Sequence, residues 1–167
     1  TRGVDVLLTT GGVSVGDHDH VRTALRQLSG EDFGFWKVAI KPGKPIVFAR
    51  IGRCLCFGLP GNPVSSYISF QNFVRPAINK LRGLGSTDRP RLAAEVTKPL
   101  DSPQSKRQFA RGRFLDDGQV EPVGGGQGSH VIGGLAQADC LIVIPEGVAH
   151  VNAGDTVDVV DLRGDVG

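Results

Sequence analysis

The first half of the chain alternates short apolar runs with segments of helical spacing. Residues 5–10 are mainly apolar and are followed by a glycine pair, and apolar residues then recur every three or four positions from Val21 to Leu28. A strand, a glycine loop and an amphipathic helix in succession make half of a βαβ unit. This half is therefore predicted to be an α/β domain with a parallel strand at its start.

Two further patterns follow in the same half. Residues 33–40 and 45–60 have strand-like composition, and the break at Ile51-Gly52-Arg53 predicts a hairpin in the second of them. Residues 64–84 place their apolar side chains along one stripe, which predicts a long amphipathic helix. Pro76 lies inside that helix, and we expect a kink near Phe73 because proline cannot continue the helical hydrogen bonding.

The second half is predicted to be a small β-barrel or sandwich. Residues 84–90 are small and polar and end in a proline, as in a linker. Four strand-rich stretches lie beyond it, and Asp117-Gly118 predicts a hairpin turn in the second of these. The chain is thus divided into an α/β domain over residues 1–83, a linker over 84–90 and a β domain over 91–167.

Composition narrows the class of protein. The chain of 167 residues is 40% hydrophobic and 22% charged, as in soluble globular proteins, but its 24 glycines are about twice the usual share. No apolar run is long enough to span a membrane, and a cytoplasmic protein is expected. The three cysteines match no disulfide or zinc spacing and are expected to be buried thiols. The chain contains no methionine and begins with Thr1, so it is expected to be part of a longer protein.

Charge is distributed unevenly between the two halves. Residues 1–85 carry eleven Lys and Arg against five Asp and Glu, whereas residues 86–167 carry eight against twelve. A basic half that is rich in glycine turns suits an anionic ligand. Nucleic acid is not expected as a partner, because the basic residues lack interleaved aromatic residues and the second half is acidic.

The glycine loop after the first apolar run is the first candidate site. Gly11 and Gly12 allow a ligand to approach the backbone, and Ser14 offers a hydroxyl group near the start of a helix. Asp17 and Asp19 would repel a phosphate unless Mg²⁺ bridged them to it. The alternatives are a structural turn and an acidic helix start that the helix dipole favours.

A lysine cluster and a proline-bracketed turn are the next candidates. Lys37, Lys41 and Lys44 follow Trp36, and on one strand the first two would share a face about 13 Å apart. The alternative for them is a solvated basic edge. In the turn, Pro60 and Pro63 fix the backbone on either side of Gly61 and Asn62, with Asn62 predicted as the N-cap of the long helix.

The second half holds a weaker candidate. Arg111 lies in a basic stretch of an otherwise acidic region, and Ser129 precedes a short predicted helix. The guanidinium group of arginine suits phosphate and other oxyanions. The alternative is a basic strand at the protein surface.

Taken together, these segments resemble a known family. TTGGVSVGDHD, FWKVAIKPGKP, FGLPGNPVSS and then FARGR with GQGSH, in this order and spacing, are similar to the molybdopterin molybdenumtransferases, the MoeA family, whose relatives include gephyrin. The similarity runs through essentially the whole chain. It implies a partial MogA-like molybdopterin-binding domain of three layers, followed by a β-barrel domain.

The resemblance also implies an activity and a set of site residues. Members combine adenylylated molybdopterin with molybdate, using a divalent ion taken here as Mg²⁺, to give molybdenum cofactor and AMP. They are cytosolic homodimers with the active site in a cleft between subunits, and a MogA-type adenylyltransferase is a candidate partner. The implied catalytic residues are Asp19, Lys37 and Lys41, the metal ligands are Asp17 and Asp19, and the substrate-binding residues are Gly11, Gly12, Ser14, Lys44, Pro60, Gly61, Asn62, Pro63, Arg111 and Ser129.

Two other functions compete with molybdenum insertion. A MogA-like adenylyltransferase would share the α/β domain, but it lacks the arrangement that runs from PGKP and LPGNP into a β domain. A scaffold protein like gephyrin would need a peptide-binding surface, which no segment identifies. Members of the family extend further on the N-terminal side, so the chain alone is expected to have little or no activity.

Overall fold

The computed structural model describes residues 3–13, 20–85, 88–123 and 133–164. It divides into two compact units. Unit 1 consists of Thr1–Val38 and Gly43–Thr87, and unit 2 consists of Ala39–Pro42 and Asp88–Gly167. Within the described residues, no helix combines the length and the apolar character that a membrane span requires.

The elements are numbered in chain order. The strands of unit 1 are β1 (Val6–Thr10), β2 (Phe33–Lys37), β4 (Pro45–Ile51) and β5 (Cys54–Leu59), and its helices are α1 (His20–Ser29), α2 (Pro63–Ser69) and α3 (Arg75–Leu81). Unit 2 contains α4 (Gly133–Ala136) and the strands β3 (Ile40–Lys41), β6 (Arg91–Glu95), β7 (Leu100–Asp101), β8 (Arg107–Phe114), β9 (Val120–Pro122), β10 (Cys140–Ile144), β11 (His150–Val151) and β12 (Thr156–Asp161).

Unit 1 is built on a four-stranded mixed sheet in the order β1-β5-β4-β2. β1 runs parallel to β5, whereas β4 is antiparallel to both β5 and β2. The sheet has an apolar cluster on each face because successive side chains of a strand point to opposite sides. One cluster includes Leu25 of α1, and the other includes Val74 in the helical segment that follows α2, together with residues of α3. Helices on both faces of a mixed sheet confirm the α/β prediction.

The predicted long helix is interrupted where a kink was expected. α2 ends at Ser69, a π-helical turn covers Phe70–Val74, and α3 continues from Arg75. The Arg75 N–H donates to the carbonyl of Phe70, five residues earlier. A proline ring clashes with the preceding turn of an α-helix, and the wider π turn gives the ring of Pro76 the room it needs.

Both predicted hairpins are present. β4 and β5 pair so that Ile51 faces Cys54 across a turn in which Gly52 has φ of 61°. β8 and β9 are joined by a turn in which Gly118 has φ of 84°. Both turns need a backbone conformation that glycine adopts without strain.

Unit 2 is a curved, mainly antiparallel six-stranded sheet. Its order is β3-β8-β10-β12-β6, with β9 also paired to β8, and β7 and β11 form a separate two-stranded ribbon. A single parallel bridge joins Val96, just after β6, to Val120 at the start of β9. The sheet thus curls toward itself, but in the described residues it is not a closed barrel. It encloses an apolar core around Ile142, Ile144 and Val159.

One expectation about the strands is wrong. Residues 33–40 were expected to form one strand, but β2 ends at Lys37, and β3 belongs to the other unit and pairs with β8. The Val38 N–H donates to the Lys44 carbonyl at 2.8 Å. This hydrogen bond joins the two ends of the loop that contains β3. The expected first domain, residues 1–83, therefore includes four residues that the structure groups with unit 2. β3 finds its hydrogen-bonding partners there, a long-range pairing that local composition does not specify.

The three cysteines are buried free thiols, as expected. Burial, with a smaller effect of the neighbouring Asp139, raises the pKa of the Cys140 thiol to about 12. Burial and the adjacent Cys54 raise the pKa of Cys56 to about 11. The folded state therefore keeps these protons at a pH where the unfolded chain has released them.

We expect tight packing around Gly112 of β8 to make Gly112→Ala destabilising. A Cβ atom there would lie 2.9 Å from the Sγ atom of Cys140 and 3.0 Å from atoms of Ile142. Such overpacking of a core costs about 1–3 kcal/mol in the free energy of unfolding. Urea denaturation measures this, with Gly164→Ala as the control because no atom lies within 4 Å of its added methyl group. Equal stability of the two variants would contradict the packing.

We also expect stability to fall as the pH rises above about 9, the ordinary pKa of a thiol, towards about 12. Above the ordinary thiol pKa, the unfolded chain releases this proton while the folded protein still holds it. The unfolded state is then favoured, and the free energy of unfolding falls. Cys140→Ala should lose less stability than the wild type between about pH 7 and about pH 10.5. Val159→Ala truncates the same core without removing a thiol, so it should keep the full pH dependence in urea denaturation. Identical pH dependence in all three proteins would exclude Cys140 as a source.

Candidate functional site

The glycine loop and the proline-bracketed turn, which are far apart in sequence, are neighbours in unit 1. β1 and β5 are parallel and adjacent, with Thr10 opposite Leu59, so both carboxyl ends lie at the same edge of the sheet. The Gly11 N–H continues this pairing by donating to the Leu59 carbonyl at 3.0 Å. In open α/β sheets, ligands bind outside the carboxyl ends of the strands. The two motifs therefore form one candidate site.

The two loops approach closely, and each needs glycine for a different reason. A Cβ atom on Gly61 would lie 3.3 Å from the Cα atom of Gly11, which is tighter than most side chains tolerate. Gly11 and Gly12 have φ values of 83° and 68°, a region that residues with a side chain rarely adopt. The loops thus present backbone where a side chain would otherwise stand.

The start of α2 is capped as predicted, and this changes what it can offer a ligand. The Asn62 Oδ1 atom accepts hydrogen bonds from the N–H groups of Val64 and Ser65 at 3.1 and 3.2 Å. The Ser66 N–H donates to the Asn62 carbonyl, and Pro63 has no N–H. The helix start therefore keeps its own donors occupied. In the described part of the chain no acceptor is assigned to the N–H of Gly61, which is exposed.

The turn is held by a further bond that the sequence did not indicate. The hydroxyl of Ser66 donates to the carbonyl of Pro60, across the turn itself. Pro60 is buried and Gly61 is exposed, so the turn has one rigid side and one open side. We conclude that Pro60, Asn62 and Pro63 fix the turn, while Gly61 occupies its exposed tip.

Val13 anchors the glycine loop from below, and sequence reasoning missed it. Its side chain is 1% exposed. A Cβ atom on Gly58 of β5 would lie only 2.6 Å from the Cγ1 atom of Val13, so the missing side chain of Gly58 makes room for Val13. The sequence alone did not explain why Gly58 lies just before the proline-bracketed turn. The packing of Val13 against Gly58 explains it. Nearby, the buried hydroxyl of Thr9 has no hydrogen-bond partner in the described residues.

Several candidate residues lie outside the described residues. These are Ser14, Asp17, Asp19 and Ser129. Elsewhere, within the ranges that the structure describes, no group of three or more His, Cys, Asp or Glu side chains could hold a metal ion.

The three candidate lysines do not lie on one strand. Lys37 is the last residue of β2 and Lys44 immediately precedes β4, and both are exposed. Lys37 and Lys44 lie at the two ends of the loop that contains β3 and that the Val38–Lys44 hydrogen bond closes. Lys41 is half-buried in β3, opposite Gln108 of β8. The expected shared face of Lys37 and Lys41 is therefore wrong, because they belong to strands of different sheets.

Arg111 is a core residue of unit 2. Its side chain is 2% exposed, and burial lowers the pKa of the guanidinium group below its ordinary value. A Cβ atom on Gly134 of α4 would lie 3.2 Å from the guanidinium carbon, so α4 packs directly against it. The alternative of a basic strand at the surface therefore fails at this position, whereas the candidate role of Arg111 stays a prediction. Sequence reasoning also missed Gly134 as the neighbour that allows the packing.

Two family models match the chain. Residues 1–80 match "Probable molybdopterin binding domain", and residues 93–162 match "MoeA C-terminal region (domain IV)". The molybdopterin molybdenumtransferase of Haemophilus influenzae is 37% identical over 159 residues, which are 93% of this chain and 39% of that protein. Molybdopterin molybdenumtransferase 2 of Mycobacterium tuberculosis is 39% identical over 162 residues, or 95% of this chain and 40% of that protein.

Solved structures agree with these matches. The structure of the molybdopterin biosynthesis MoeA protein from Pyrococcus horikoshii aligns with a TM-score of 0.75 and 28% identity, over 96% of this chain and 38% of that one. The chain spans about two fifths of the length of the curated relatives it matches.

The fold and the two family models define the class of protein by its two units. An α/β unit of the molybdopterin-binding type is followed along the chain by a β unit of the MoeA C-terminal type. The chain belongs to the MoeA family of molybdopterin molybdenumtransferases.

We expect the packing of Val13 against Gly58 to couple these two positions energetically. Gly58→Ala should destabilise the protein by about 1–3 kcal/mol, because the new methyl group displaces Val13 and lies 3.1 Å from Val47. Val13→Ala removes the nearest clashing atom but leaves a cavity. The double variant should therefore be at least ~1 kcal/mol more stable than the sum of the single effects predicts.

A double-mutant cycle by urea denaturation tests this coupling. Gly85→Ala serves as the control for Gly58→Ala, since no atom lies within 4 Å of its added methyl group. Strict additivity of the two single effects would show that Val13 and Gly58 do not contact each other.

Proposed function

We propose that this chain supplies part of a molybdenum insertase and binds an adenylylated molybdopterin beside its glycine loop. The observation that carries the proposal is the direct approach of Gly11 to Gly61 at the carboxyl ends of two parallel strands. Backbone that is free of side chains at this position suits a close phosphate or pterin contact. The names of the curated relatives support the same activity.

In the proposed reaction, adenylylated molybdopterin and molybdate give molybdenum cofactor and AMP. Breaking a phosphoanhydride bond mainly requires positioning and neutralisation of negative charge. Lys37 and Lys41 are the proposed catalytic cations, and Lys44 is a proposed substrate contact. The proposed backbone contacts to the substrate are those of Gly11, Gly12 and Gly61, where no side chain keeps the substrate away. We assign Pro60, Asn62 and Pro63 to holding the turn that presents Gly61.

The remaining assignments rest on the family resemblance. Ser14 and Ser129 are proposed substrate contacts. Arg111 keeps its proposed role toward the anionic substrate, although its burial favours an indirect contribution. Asp17 and Asp19 are the proposed ligands of Mg²⁺, with Asp19 also proposed as catalytic, since carboxylates and phosphate oxygens are the groups that Mg²⁺ prefers. A cytoplasmic homodimer and a MogA-type adenylyltransferase partner complete the proposal.

Adenylylation of molybdopterin is the competing activity. The two reactions differ in their nucleotide balance, because insertion releases AMP whereas adenylylation consumes a nucleotide donor. The match of residues 93–162 to the MoeA C-terminal region favours insertion. A scaffold role has no specific observation in its support.

Titration calorimetry of adenylylated molybdopterin against this chain is the direct test. Lys37→Ala should weaken binding about tenfold or more, because a hydrogen bond to a charged group contributes about 1.5–3 kcal/mol. Lys80→Ala removes an exposed lysine at the end of α3 and should leave the affinity unchanged. Chromatography of the products with molybdate present detects AMP. The chain alone is expected to bind but to turn over little. No binding by the wild-type chain, or equal effects of the two lysine variants, would refute the assignment.

A further inference from the structure

The outer edge of β2 is an unpaired strand edge in the described residues. β2 lies at one end of the sheet of unit 1 and pairs only with β4. The Arg50 N–H donates to the Asp32 carbonyl and the Val38 N–H donates to the Lys44 carbonyl. Because the backbone of an antiparallel strand faces its partner at every second residue, Gly34 and Trp36 also face β4. The N–H and C=O groups of Phe33, Phe35 and Lys37 therefore point outward.

A basic groove runs along one face of this edge. It has a volume of about 470 Å³ and lies between α1 and β2. The Arg22 guanidinium lies 5.2 Å from the centre of the Phe35 ring, and Arg26 follows one helical turn later. Among the described residues, the groove is lined by Arg22, Thr23, Arg26, Gln27, Phe33 and Phe35, none of which is a carboxylate.

The opposite face of the same edge carries an exposed aromatic ring. Trp36 is 49% exposed although it lies within a strand. Its ring covers the backbone of Gly34, where a Cβ atom would lie 1.9 Å from the ring. A strand added to β2 would thus direct alternate side chains to the arginine groove and to the Trp36 ring, since strand side chains alternate between faces.

We propose that the β2 edge binds an extended peptide segment of another protein in which acidic and apolar residues alternate. Its backbone would pair with Phe33, Phe35 and Lys37, as in other cases where a peptide adds a strand to a sheet. Its acidic side chains would lie beside Arg22 and Arg26, and its apolar side chains would contact Trp36. The charge of the groove selects this partner over a second copy of the chain, because β2 itself contains Lys37 and no acidic residue.

Fluorescence of Trp36 provides the test, because it is the sole tryptophan. The chain is titrated with an end-blocked peptide of alternating glutamate and valine. We expect a saturable change in emission, which weakens as salt is added because salt screens exposed charges. A peptide of alternating lysine and valine should not bind. A glutamate–valine peptide that is N-methylated at every residue keeps the side chains but has no backbone N–H to pair along either edge, and it should not bind either.

Two charge-reversed variants locate the contact. Arg26→Glu should weaken binding of the glutamate–valine peptide at least tenfold, whereas Lys80→Glu makes the same change of charge on α3 and should not affect it. Circular dichroism checks that both variants are folded. If Arg26→Glu does not fold, the three peptides on the wild-type chain still decide.

Three results would overturn the proposal. The first is equal binding of the lysine and glutamate peptides. The second is binding of the N-methylated peptide, which would show an electrostatic contact without strand pairing. The third is a Trp36 emission that changes with protein concentration alone, together with dimers in sedimentation analysis, which would assign the edge to a second copy of the chain.

Discussion

The candidate site depends above all on the parallel pairing of β1 with β5. Parallel neighbours end at the same edge of a sheet, so this pairing brings two loops that are about fifty residues apart in sequence into contact. The contact then imposes its own limits, because Gly11 and Gly61 approach too closely for a side chain to intervene. Rigid prolines on one loop and positive φ values on the other fix the backbone of both. The open backbone at this edge is a consequence of strand order.

The same pairing explains why residues away from the candidate site matter to it. Val13 follows the glycine pair and fits into the space left by Gly58, so the loop is fastened to the sheet from below. The Ser66 hydroxyl and the Asn62 side chain fasten the proline turn in a similar way. The side chains of Val13, Asn62 and Ser66 thus pack against or hydrogen-bond to the protein itself. They therefore act on a ligand through the position of the backbone.

Unit 2 follows a different constraint, because the central strands β8 and β10 of its antiparallel sheet are buried along most of their length. Small residues such as Gly112 and Gly134 admit the bulky neighbours Ile142 and Arg111. The burial of Arg111 shows that a charged residue in a basic stretch need not lie at the surface. β3 joins this sheet through two residue pairs, although it lies between strands of unit 1 in the sequence.

The sequence by itself determined the α/β and β halves, both hairpins, the Asn62 cap and the break in the long helix just before Pro76. Each of these follows from local periodicity or from a single residue's conformational limits, which act over a few neighbouring positions. Strand order, the contact between Gly11 and Gly61, the separation of Lys37 from Lys41 and the burial of Arg111 were decided only by the tertiary structure. They depend on which distant segments pair and pack, and no local pattern of residues specifies that choice.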